Sequence, residues 1–188
     1  MTGDEFGIDE FRIFLLEIDA ENGKNIKYSN FIFSGKESAS TALIHNNSIY
    51  TGGRYGIEKR IDKYRGSISK FDLNFNEVWS NYYLNYKDKF IRNYLAKLII
   101  VDEKLISLYF TNNHGVNSFY TACLAQQTLD GELIWASEFD LEGYKNITVR
   151  DVKAAKDGYY IYGFTKSPTE NLFLIKTTAS VANGVIFG

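Results

Sequence analysis

Seven residues in one short stretch have side chains suited to chemistry: Arg54, Tyr55, Lys59, Arg60, Lys63, Tyr64 and Arg65. Guanidinium groups grip carboxylates and phosphates through forked hydrogen bonds, and tyrosines stack on flat or sugar faces. Together they would form a loop that binds an anionic or sugar-bearing ligand. The competing reading is a solvated excursion, in which Glu58 and Asp62 pair locally and the charges keep the loop soluble.

Other reactive side chains are scattered. His45 and His114 are the only imidazoles, neither has a Cys or second His at metal-ligand spacing, and a loop or capping role is expected for both. Glu138, Asp140, Glu142 and Asp151 would serve acid/base chemistry only if two of them converged. The run Gly52-Gly53-Arg54-Tyr55-Gly56 lacks the order and the helix of a phosphate loop, and reads as a strand end with room for close approach. Asn46 and Asn146 open glycosylation sequons of the kind an Asn-rich chain produces by chance. Cys123, the single cysteine, sits between Ala122 and Leu124, which excludes an intrachain disulfide and suggests an inert buried thiol. No catalytic residue, metal site or cofactor is expected on this basis.

What must position these residues is a repeat. Asn22, Asn74, Asp130 and Asn183 each precede a large aromatic within a few residues, at steps of 52, 56 and 53. A second row, at Asn47, Glu103 and Asp157, keeps steps of 56 and 54. Two features in phase mark a tandem unit of the size of four antiparallel strands. Asn-Gly and Asp-Gly in the first row suggest type I′ turns with positive φ. Each such turn would feed a fourth strand opening at Tyr28, Trp79 or Trp135. First strands are expected at 40–45, 94–101 and 148–154, second strands at 48–53, 104–111 and 158–165, and third strands at 11–19, 66–72, 118–127 and 171–177. Asp102-Glu103-Lys104 cuts the apolar stretch from Tyr94 to Ile106 into two strand lengths rather than one helix.

The strand phrases carry a resemblance. Asp157-Gly158-Tyr159-Tyr160-Ile161-Tyr162-Gly163-Phe164-Thr165, followed by Leu172-Phe173-Leu174-Ile175-Lys176, resembles the repeat of bacterial propeller proteins loosely related to the quinoprotein-like (PQQ-like) superfamily. Ile68-Ser69-Lys70-Phe71-Asp72 with Trp79, and Leu124 to Trp135, carry the phrase in degraded form. The resemblance implies a β-propeller and a secreted or cell-envelope setting, and it transfers no catalytic residue because the shared motif is a packing motif.

The expected fold is therefore all-β: one propeller-like domain with a partial blade at 11–34, blades at 38–84 and 92–141, and an incomplete blade at 146–188. About thirteen strands result, where four complete blades would need about sixteen. Both ends supply a third strand, so the chain reads as a fragment of a longer ring or as an open arc. Open edges invite pairing with another chain, and self-association is expected. With 188 residues, 45% apolar and 16% aromatic, the chain can bury a sizeable core. A net charge of −2 and a pI near 5.7 argue against a general nucleic-acid or anionic-membrane binder. No apolar run approaches the about 18 residues that span a bilayer, and the polar Met1-Thr2-Gly3-Asp4 does not begin a signal peptide. These features favour a non-enzymatic binding module for a protein or surface partner. The alternatives are a piece of a glycan-acting or quinone-dependent propeller enzyme, or a truncated remnant without independent activity.

Overall fold

Short turns of fixed register divide the chain into strands. The computed structural model describes residues 13–31, 37–56, 64–83, 91–113, 119–139, 145–167 and 171–178, and every regular element among them is a β-strand. β1 (Ile13–Ile18) and β2 (Asn25–Phe31) pair as a first sheet. β3 (Glu37–His45), β4 (Ser48–Gly56), β5 (Tyr64–Asp72) and β6 (Glu77–Tyr83) follow one another as a four-stranded second sheet. β7 (Ile91–Val101), β8 (Lys104–Asn113), β9 (Phe119–Thr128) and β10 (Leu133–Phe139) repeat that order as a third. β11 (Lys145–Ala155), β12 (Gly158–Ser167) and β13 (Asn171–Thr178) form a three-stranded fourth.

Pairing within every sheet is antiparallel. A single parallel bridge, Tyr64 to Arg92, links the second and third sheets into one hydrogen-bonded path of eight strands. One bridge does not merge them, because each side keeps its own complete meander. No sheet closes on itself among the described residues. The described residues thus form a tandem of blade-like, propeller-like sheets with two, four, four and three strands, none of them closed on itself.

The turns follow more than one design, and the first row does not take the type I′ geometry that its Asn-Gly and Asp-Gly pairs suggest. Type I′ geometry falls on two turns of the second row, where Asn46 and Asn47 have φ of 45° and 58°, and Asp102 and Glu103 have 48° and 56°; the third, at Lys156 and Asp157, keeps negative φ. In the first row, the N–H of Gly131 donates to the carbonyl of Thr128 at 3.0 Å, and the N–H of Thr128 donates to Glu132 at 2.9 Å. Only the residue after the anchor takes positive φ, Gly131 at 87° and Phe75 at 66°. This is a three-residue loop ending in a left-handed position. Asn-Gly suits both designs, and loop length decides between them.

Fourth strands begin earlier than expected, at Asn25, Glu77 and Leu133. Trp79 faces Lys70 and Trp135 faces Gln126 at matching register, and each packs toward the following sheet. Tyr28 is out of phase with them. The first turn runs one residue longer, from Asp19 to Lys24, so Lys27 takes the tryptophan position opposite Glu17 and Tyr28 turns outward. A slip of one residue reverses the face of every later side chain.

Packing is sheet on sheet. Tyr50 and Ile68 of the second sheet meet Leu105, Tyr109, Cys123 and Ala125 of the third. The other face of the third sheet, with Ile106, Leu108 and Leu124, meets Val152 and Ile161 of the fourth. Each aliphatic side chain buried this way contributes about 1.5–3 kcal/mol. Gly66 lets the sheets approach, since a Cβ there would lie 2.4 Å from the Tyr109 ring.

Candidate functional site

The first strands of three successive sheets share an irregularity. The register of β3 on β4 shifts between Ala39 and Thr41, that of β7 on β8 between Leu95 and Lys97, and that of β11 on β12 between Val149 and Asp151. The residues left over are Ser40, Ala96 and Arg150, at steps of 56 and 54. A β-bulge bends its strand and re-aims a side chain. Here all three bulged residues line one cavity of about 370 Å³.

Gly53, Arg54, Tyr94, Leu95 and Phe110 contribute further wall, with Thr148 and Val149 beside Arg150. Gly52 admits the close approach, because a Cβ there would stand 2.6 Å from Leu95 Cδ2. The Ser40 hydroxyl donates to the Leu95 carbonyl and ties β3 to β7. Tyr94 and Phe110 stack with centroids 4.8 Å apart and planes 13° apart. The Arg54 guanidinium lies 5.5 Å over the Tyr94 ring, and that of Arg150 lies 5.0 Å over Phe164. Aromatic faces attract and orient guanidinium groups at this range.

Among the described residues that line the cavity, two are cations and none is Asp, Glu or His. Asp151, the nearest acid in sequence, lies 3.7 Å from Lys97 Nζ and 3.4 Å from Lys153 Nζ. Its charge is spent on those lysines. A site with a positive rim, aromatic shelves and aliphatic walls can hold an anion on a short apolar or flat stem.

The predicted basic stretch is distributed differently. Arg54 and Tyr55 belong to β4 and Arg65 to β5, with Tyr55 opposite Arg65 and Gly56 opposite Tyr64. The two ends of the expected loop, residues 54–56 and 64–65, thus continue the hairpin. Lys59, Arg60 and Lys63 lie outside the described residues, and Tyr64 is placed only by its backbone. Of the three whose side chains are described, Arg54, Tyr55 and Arg65, Arg54 lines the cavity, whereas Tyr55 stacks on Tyr82 with centroids 4.3 Å apart.

His45 Nε2 lies 3.0 Å from both carboxylate oxygens of Glu103, which joins the tight turns of adjacent sheets. His114, Asp140 and Glu142 lie outside the described residues. Cys123 is buried, and burial first, then the nearby Glu138 carboxylate, pushes its thiol pKa up. Among the described residues no group of three His, Cys, Asp or Glu could hold a metal ion. Arg150, Tyr94, Ser40 and Ala96 escaped the reading of the sequence. Their one signal was a break in strand alternation that recurs with the repeat. No family model matches the chain, and no curated protein matches it.

Proposed function

We propose that this protein is a non-enzymatic binding module on a partial β-propeller, and that its cavity receives an anionic group, a carboxylate on a short apolar or flat stem. A protein or surface partner presents that group to the site. The observation that carries this reading is Arg54 and Arg150 on one cavity whose remaining walls are aromatic, aliphatic, glycine and hydroxyl. Its volume falls within the range of about 300–1,000 Å³ typical of small-ligand sites.

Benzoate and benzamide share a shape and differ in charge, which makes them a matched pair of probes. Benzoate is expected to raise the melting temperature in a saturable manner, while benzamide has little effect. Arg150 is exposed on its bulge, so Arg150→Gln is expected to fold and to melt cooperatively. Loss of one charge-assisted contact worth about 1.5–3 kcal/mol weakens benzoate about 10- to 100-fold. Equal shifts from both probes, or full benzoate binding by Arg150→Gln, would contradict the reading.

A further inference from the structure

The two end sheets expose what the inner sheets bury. On the first sheet, Phe14 (61% exposed), Leu16 and Tyr28 form one apolar face. On the fourth, Leu172 (88%), Leu174 (68%) and Tyr162 do the same. Exposed apolar patches of this kind mark interaction surfaces.

Register shows what each face corresponds to. Tyr162 opposite Leu174 repeats Leu108 opposite Leu124, the pair that the third sheet turns toward the fourth. Leu16 opposite Tyr28 repeats Ala125 opposite Ala136, the pair that the third sheet turns toward the second. The first sheet therefore exposes the face that an inner sheet presents to its predecessor. The fourth exposes the face that an inner sheet presents to its successor. The two faces are related as the two sides of each inner interface, and their exposure shows that they do not meet within one chain.

We propose that the fourth-sheet face of one copy docks on the first-sheet face of a second copy, head to tail, continuing the stacking of the chain. This is a heterologous contact, which either closes a ring or extends. The described residues of two copies would supply eight sheets, within the range of about four to eight blades seen in propellers. The proposal is independent of the cavity and its ligand.

Sedimentation of the full chain across a wide concentration range tests it, with Leu16→Asp for one face and Leu174→Asp for the other. The unchanged protein is expected to form a dimer or larger assembly, and each variant alone is expected to remain a monomer. Mixed in equal amounts, the two variants retain one good face each and form a heterodimer. Both substituted side chains are exposed, so cooperative melting is expected of both variants. If either aspartate variant fails to melt cooperatively, Leu16→Ser and Leu174→Ser take their place. The proposal is overturned by a monomer at every concentration, by assembly that survives either single variant, or by a mixture that stays monomeric.

Discussion

Lys176 Nζ donates to Asp157 Oδ2 at 2.6 Å across the last hairpin, and this hydrogen bond, helped by the attraction of the two charges, holds the carboxyl below its ordinary range. The same contact raises the lysine. For the acid the sign is fixed: its folded value is depressed, so its contribution is complete above about pH 4, the unfolded value, and fades as pH falls through the lower folded value. For the base it is reversed, and the contribution fades as pH rises through a folded value above about 10.4. Asp157→Asn should therefore lower the melting temperature at neutral pH, with the gap closing in acid. A gap that stays constant down to the lowest measurable pH would contradict this. The effect is small because both groups are exposed. Phe75 shows a different balance, holding a left-handed φ of 66° where the third sheet uses Gly131. That conformation costs about 1–2 kcal/mol. Burial of the ring against Ile49 and Phe71 is worth about 1.5–3 kcal/mol and outweighs it.

The bulge in β11 depends on Gly163 in the neighbouring strand. A Cβ at that position would lie 2.2 Å from the Thr148 carbonyl oxygen and 2.9 Å from Val149 Cα, both backbone atoms that cannot swing aside. Gly163→Ala is expected to lower stability by about 1–3 kcal/mol in a urea titration. Unchanged or raised stability would show that β11 sits farther away. Strands were legible in the sequence because turn residues and apolar runs act locally, so the anchors and apolar runs placed the thirteen strands of the described residues in order. Bulges were not, because an extra residue is defined against its cross-strand partner, and Ser40, Ala96 and Arg150 share no residue type. The type I′ expectation for the first row failed because loop length is set by pairing across the hairpin: at Asn74 and Asp130 the loop has three residues, and only the residue after each anchor takes the left-handed position. Arg54 was legible as a cation, but its partner across the cavity lay 96 residues away in another sheet.

Stacking gives the molecule two kinds of surface. Between the second and third sheets and between the third and fourth, apolar faces are consumed. At the two ends they are left open, on the first and fourth sheets. The cavity depends on this arrangement, since its wall takes bulged residues from three sheets and no sheet alone could form it. Repetition thus produces a site that no single unit contains: three equivalent bulges, diversified to Ser, Ala and Arg, beside one arginine of a second strand. Benzoate added to nitrogen-15-labelled protein, followed by backbone amide shifts, reads this out residue by residue. The expected result is a saturable response at Ser40, Arg54, Ala96 and Arg150 together, with one common affinity. Shifts confined to one sheet, or spread over exposed lysines without saturation, would contradict a site shared by three sheets.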